Sequence, residues 1–239
     1  MQNDIHILST RPLPQATLIK AFESGITIDV IPFIKTEAIT DTPTIIQIHD
    51  FAKRKIAAVF TSVTAVEAVI PHLSENPDWD IYCMGGITRE TVINFFGEAS
   101  IKKTARNAVN LADKIVAGNV QEEIVFFCSD HRLDKLPTIL KTNKVHFKEL
   151  IVYKTIETPE PIEKHYDGIL FFSPSAVHSF FSQNTIATDV KLFSIGKTTA
   201  ATIATYVSNE VVASEWPGQE QLIAQVINYY SEIKGLSES

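Results

Sequence analysis

The sequence predicts an α/β protein built on parallel sheets. Three observations carry that prediction. Short runs of β-branched and aromatic residues alternate with segments of helical periodicity along the whole chain. The scheme restarts midway, at the run Glu123 to Ser129. The segments before and after that restart also align with each other, and self-similarity of this kind points to a repeated unit.

The elements follow in order. Ile5 to Ser9 reads as a strand, and Leu13 to Ser24 as a helix stopped by Gly25. Ile26 to Ile34 is extended. A helix starts at Asp41 or Thr42 with Pro43 in its first turn, where a missing N–H costs nothing. Ile56 to Ser62 is a buried strand feeding a helix over Thr64 to Leu73. Asp80 to Gly85 and Ile87 to Gly97 make the next strand and helix, and Asn107 can cap the helix that ends at Gly118.

The internal repeat is ungapped over its central part. Phe60-Thr61-Ser62-Val63-Thr64-Ala65-Val66 falls on Phe171-Phe172-Ser173-Pro174-Ser175-Ala176-Val177, and the same offset carries Gly85 onto Gly196, Thr88 onto Thr199 and Leu111 onto Leu222. A slightly larger offset places Phe33-Ile34-Lys35-Thr36 on Val152-Tyr153-Lys154-Thr155 and Ser9-Thr10 on Cys128-Ser129. One gap in a helical region reconciles the two registers. The chain therefore reads as two similar halves, 1–119 and 120–239, the product of an internal duplication. If the chain crosses at both extended segments, the first block pairs with the last and the middle stands alone. Side-by-side halves are the other arrangement the pattern allows.

Composition removes several function classes. With 239 residues, 45% hydrophobic and 21% charged, the chain can bury the cores of two domains, and disorder is excluded. No apolar run approaches the ~18 residues of a membrane span, and the start MQNDIHILST lacks the basic and apolar regions of a signal peptide. A cytoplasmic location without membrane association is expected. Cys83 and Cys128 sit in apolar runs without metal-binding spacing and read as reduced core thiols. The net charge of −7 argues against a nucleic-acid partner, which needs a basic face. The seven histidines form no HExxH or i, i+4 pair, so no metal is expected. Neither a Walker A motif nor GxGxxG is present, so nucleotide cofactors rank low. The Phe95-Phe96, Phe126-Phe127, Phe171-Phe172 and Phe180-Phe181 pairs read as core.

In open parallel sheets, ligands bind beyond the carboxyl ends of the strands. Those ends read Ser9-Thr10-Arg11, Thr61-Ser62-Val63-Thr64, Gly85-Gly86-Ile87-Thr88, Ser129-Asp130, Ser173-Pro174-Ser175 and Gly196-Lys197-Thr198-Thr199. Each offers hydroxyls, small residues and unpaired helix N–H groups, a combination suited to carboxylate or phosphate. Helix capping alone accounts for a serine or threonine at any one of these places. The set is more informative, because it recurs in both halves and carries no carboxylate pair or nucleophile triad of a hydrolase. Duplication without a ligand would produce the same recurrence. Tyr153 stands where the repeat has Ile34, so the fold does not require its hydroxyl, which could donate to a leaving group. A boundary tyrosine with its tip in water is the plain alternative.

Taken together, Ser9 to Ala16 (STRPLPQA), Val59 to Ala68 (VFTSVTAVEA), Cys83 to Val92 (CMGGITRETV), Glu149 to Thr155 (ELIVYKT), Leu170 to Phe180 (LFFSPSAVHSF) and Phe193 to Ile203 (FSIGKTTAATI) resemble the uroporphyrinogen-III synthase family nearly end to end. The resemblance implies two flavodoxin-like, doubly wound domains joined by a two-stranded linker. It selects the crossed arrangement, with 1–34 plus 156–239 as one domain, 37–152 as the other, and 33–36 and 152–155 as crossovers. It implies cyclisation of the linear tetrapyrrole hydroxymethylbilane with loss of water and inversion of ring D, a lyase reaction without cofactor. By the same resemblance Tyr153 is the catalytic residue. Arg11, Ser62, Thr64, Gly86, Thr88, Ser173, Ser175, Lys197, Thr198 and Thr199 then bind the substrate. A monomer is implied, with the enzyme that makes hydroxymethylbilane as a candidate partner. An acidic chain must hold such a polycarboxylate through local N–H groups, hydroxyls and a few cations such as Lys197 and Arg11. Two other readings compete: a non-catalytic two-domain binder of a small polycarboxylate, and a nucleotide-sugar transferase, which the missing glycine fingerprint disfavours.

Overall fold

The structure, a computed structural model, describes residues 5–214 and 218–237. The chain begins with β1 (Ile5–Ser9), α1 (Gln15–Glu23) and β2 (Ile26–Val30). It continues through β3 (Ile34–Ala38), α2 (Thr42–Ala52), β4 (Ile56–Phe60), α3 (Val63–Val69), β5 (Trp79–Met84), α4 (Ile87–Phe96), β6 (Ile101–Ala105) and α5 (Ala108–Ala117). Then come β7 (Glu123–Ser129), α6 (Lys135–Thr142), β8 (Phe147–Glu157), β9 (Gly168–Phe171), α7 (Pro174–Phe181), β10 (Lys191–Ser194), α8 (Lys197–Ile203), β11 (Val211–Ala213) and α9 (Gln219–Ser237).

Local chemistry sets most of these boundaries. The Asp41 carboxylate accepts the Thr44 N–H at 2.8 Å to start α2, and the Asn107 side chain accepts the Asn110 N–H to start α5. Gly25, at φ 72°, follows α1 in the left-handed region that a non-glycine residue would occupy only with strain. The helix expected over Thr64 to Leu73 is shorter. It starts at Val63 and gives way at Ile70–His72 to a 3₁₀ turn, because Pro71 has no N–H to continue an α-helix. The strand expected to reach Ser62 stops at Phe60, since Ser62 caps the next helix.

Two compact units result: Met1–Lys35 with Ile156–Ser239, and Thr36–Thr155. The first holds a sheet of order β11-β10-β9-β1-β2, every neighbour parallel. The helices α7 and α8 cover one face over Leu8, Ile169 and Phe171, and α1 and α9 cover the other over Ile7, Leu170 and Phe193. The second unit is built on the sheet β3-β8-β7-β4-β5-β6, in which β8-β7-β4-β5-β6 pair in parallel. Its faces are covered by α2, α3 and α4 on one side and by α5 and α6 on the other.

Aromatic side chains fill these cores. Phe127 stacks on Phe60 at 5.1 Å and on Trp79 at 5.4 Å, while Phe180 meets Phe33 and Phe171 edge-on. The phenylalanine pairs are thus core residues, with Phe95, Phe172 and Phe181 at its margin. Each fully buried ring contributes about 1.5–3 kcal/mol. Cys83 and Cys128 are buried free thiols, and desolvation pushes both pKa values up to about 11. No described helix is long and apolar enough to cross a membrane.

Candidate site at the strand ends

Within the second unit, β4 ends at Phe60 and the chain turns into α3 through Ser62, whose backbone is extended (φ −143°, ψ 149°). The Ser62 hydroxyl accepts the Ala65 N–H at 3.2 Å, leaving the N–H groups of Val63 and Thr64 in the first turn without intrahelical acceptors. The same hydroxyl lies 3.0 Å from the Tyr153 hydroxyl. If Ser62 donates to Tyr153 Oη, the phenolic proton stays available to a third group. Ser62 and Tyr153, proposed separately from sequence, are therefore hydrogen-bonded to each other.

Tyr153 reaches this position through an irregularity. Along β7 and β8, Cys128 pairs with Ile151 but Ser129 pairs with Tyr153, so β8 carries an extra residue at Val152. Successive side chains of a regular strand point to opposite faces. Leu150 and Val152 do lie in the cluster under α3, yet Tyr153 packs against that same cluster. The bulge has turned it toward α3.

At the neighbouring strand end, α4 starts after Gly85-Gly86. Gly86 adopts φ 67°, and a Cβ there would have open space but a strained backbone. Thr88 is buried in the first turn of α4, which packs beside α3. Thr64 is half-buried in α3.

The first unit presents a corresponding set. Ser173 caps α7 with an extended backbone and accepts the Ala176 N–H at 3.2 Å, with Pro174 opening the helix and Ser175 half-buried beside it. On the adjacent strand, Gly196 leads into α8, whose first residues are exposed Lys197, then Thr198, then buried Thr199. Arg11 follows β1, where the Thr10 hydroxyl donates to the Leu170 carbonyl at 2.8 Å, and its guanidinium lies over the Phe172 ring at 5.5 Å. Arg11, Ser173, Ser175 and Lys197 thus stand at the carboxyl ends of three adjacent strands, β1, β9 and β10.

Sequence reasoning placed Ser129-Asp130 at a strand end but gave Asp130 no part in the site. Its N–H donates to the Tyr153 carbonyl at 3.3 Å and its carboxylate accepts the Thr155 N–H at 3.0 Å. The sequence carries no signal for this, because Leu150-Ile151-Val152-Tyr153 is one unbroken apolar run that does not mark where the extra residue falls. Arg132 is occupied by Glu149, at 2.7 and 2.9 Å from one guanidinium nitrogen, and by Asp134.

Comparison with known proteins gives the chain its family. No curated protein matches it by sequence. Among solved structures, a mutant uroporphyrinogen III synthase from Thermus thermophilus aligns with TM-score 0.67 and 14% identity, covering 97% of this chain and 99% of that one. Uroporphyrinogen-III synthetase from Helicobacter pylori aligns with TM-score 0.65 and 15% identity, covering 94% and 99%. At such identities these likenesses speak for a shared fold, mixed α/β with two parallel sheets. The family model described as uroporphyrinogen-III synthase HemD matches residues 17–224, and the chain belongs to the uroporphyrinogen-III synthase family.

Proposed function

We propose that the chain is a uroporphyrinogen-III synthase, a cyclising lyase acting as a cytoplasmic monomer on hydroxymethylbilane. It expels the terminal hydroxyl of the linear tetrapyrrole as water and closes the macrocycle through a spiro intermediate with ring D inverted. Beside the family, the observation that carries the mechanism is the Tyr153–Ser62 hydrogen bond at the end of β4. An electron-rich pyrrole releases its α-hydroxyl once that oxygen is hydrogen-bonded, and the Tyr153 O–H is the donor in this reading. Ser62, donating in turn to Tyr153 Oη, holds the phenol with its proton outward. Since unassisted closure gives the symmetric isomer, the rest of the work is conformational control, which is catalysis by positioning.

Substrate carboxylates fall to Thr64, Gly86 and Thr88 on the second unit and to Arg11, Ser173, Ser175, Lys197, Thr198 and Thr199 on the first. The first-turn N–H groups and hydroxyls there suit anions, each helix end contributing about 0.3–1 kcal/mol. The reading includes two flavodoxin-like domains derived by duplication, 1–34 plus 156–239 and 37–152, with crossovers at 33–36 and 152–155. In its support, the sheet β2-β1-β9-β10-β11 has the order 2-1-3-4-5 within its unit. Replacing each strand by its repeat mate turns that order into β8-β7-β4-β5-β6. The matched caps at Ser62 and Ser173 also support it.

Freshly generated hydroxymethylbilane, supplied to the protein and followed by oxidation and separation of the uroporphyrin isomers, tests the activity. Type III isomer formed at a catalysed rate is expected. Type I isomer alone, at the unassisted rate, overturns the synthase and leaves a binder. Tyr153→Phe should lower kcat by about 10–100-fold, at or below the low end of general-acid effects, and a wild-type rate would remove the role of Tyr153.

A further inference from the structure

We infer that Asp130 is a positioning residue for Tyr153, acting by locking the β8 bulge that aims the phenol at Ser62. The inference rests on the reading of Tyr153 as the hydroxyl donor.

Asp130 makes two hydrogen bonds to β8 immediately after the Tyr153 side chain. Its N–H donates to the carbonyl of Tyr153 itself, and its Oδ1 accepts the Thr155 N–H two residues on. Its Oδ2 is 4.0 Å from His131 Nε2, leaving Oδ1 for the strand. At the same place the ladder slips from Cys128–Ile151 to Ser129–Tyr153. Parallel pairs seldom carry bulges, and the extra residue disrupts the ladder locally. The regular ladder would hold Val152 opposite Ser129 and turn Tyr153 to the opposite face, where Phe147 packs toward α6. With β8 in the slipped register, the Asp130 carboxylate takes up the Thr155 N–H at the point where β7 ends and its ladder can no longer do so. The β3 side is held as well: the Ile39 N–H donates to the Val152 carbonyl at 2.8 Å. Between these two fixed points the Tyr153 side chain has one direction, toward Ser62 Oγ at 3.0 Å.

The test combines Asp130→Ala, Asp130→Asn and Tyr153→Phe in a double-mutant cycle on the full chain, with kcat and KM measured separately for hydroxymethylbilane. Asp130→Ala should lower kcat about tenfold with KM within twofold. Asp130→Asn, whose amide oxygen still accepts from the Thr155 N–H, should stay within about threefold of wild type. Asp130→Ala added to Tyr153→Phe should cost no further activity, because the phenol it positions is gone. An Asp130→Ala effect as large in the Tyr153→Phe background as in the wild type overturns the inference, as does a wild-type kcat for Asp130→Ala. If Asp130→Ala does not fold, Asp130→Ser, with its shorter side chain, takes its place in the cycle. A slow Tyr153→Phe with a fully active Asp130→Ala sinks the positioning role alone, whereas Tyr153→Phe at the wild-type rate sinks the reading beneath it.

Discussion

Ser62 and Ser173 occupy equivalent local positions. Each is an extended N-cap accepting the N–H three residues on at 3.2 Å, but Ser62 in addition meets the Tyr153 hydroxyl. The pair separates the cap, which both serines make, from the contact with Tyr153, which Ser62 adds. Ser62→Ala and Ser173→Ala should each cost about 0.5–2 kcal/mol for the lost cap, visible as a Tm lower by roughly 2–4 °C per kcal/mol. Only Ser62→Ala should also release the Tyr153 phenol, lowering kcat several-fold beyond any fall seen for Ser173→Ala. A wild-type kcat for Ser62→Ala would show that the Ser62 hydroxyl caps α3 and does nothing for Tyr153. Both serines were visible in the sequence as cap-like residues after a buried strand. Their difference was not, since it depends on a partner 91 residues away that no local pattern encodes.

The helices that start at Gly86 and Gly196 carry the corresponding contrast at the scale of an element. Neither has a side-chain cap, and a Cβ would find open space at both. The backbones differ: Gly86 sits at φ 67°, whereas Gly196, at φ 170°, is extended in a way any residue adopts. Gly86→Ala should therefore destabilise the second unit by about 1 kcal/mol or more, and Gly196→Ala should be close to neutral or slightly stabilising through a stiffer unfolded chain. Urea midpoints of the two variants check this, and equal midpoints would refute the backbone argument. The strands with strong apolar runs, β1, β4, β5 and β7, were legible because burial on both faces leaves continuous hydrophobic sequence. β6, with Lys102 and Lys103 exposed at the sheet edge, and the three-residue β11 lack that signal. The bulge in β8 was illegible for a different reason. One inserted residue changes which face Tyr153 occupies while leaving a plausible extended run.

Over the whole molecule, the titrating groups with shifted pKa values bound the pH range in which the fold is most stable. On the acid side, Glu123 is lowered first by its hydrogen bond to Lys148, and Asp29 first by its hydrogen bond to Lys164. Groups lowered in the folded state contribute stability above their unfolded pKa and lose it as pH falls through the folded value, here below about pH 4. These carboxylates are at the surface, so the acid decline from them is shallow. The alkaline side is steeper, because Cys83 and Cys128 are buried and both are raised from 9.0 to about 11 by desolvation. In the window between those values the unfolded chain has released both thiol protons while the folded chain retains them. Unfolding then releases two protons, and stability must fall as pH rises. Tyr82, Tyr166 and Tyr230, also raised chiefly by burial, join this decline above about pH 10. Unfolding free energy from urea titrations should thus be nearly level from about pH 6 to 8 and drop as pH rises from about 9 toward about 11. In Cys83→Ala the chain starts from a lower plateau but should lose about half of that slope, and in the double variant Cys83→Ala with Cys128→Ala the decline should begin only where the tyrosines titrate. A slope unchanged in the double variant would assign the alkaline loss to other groups and remove the thiols from the account.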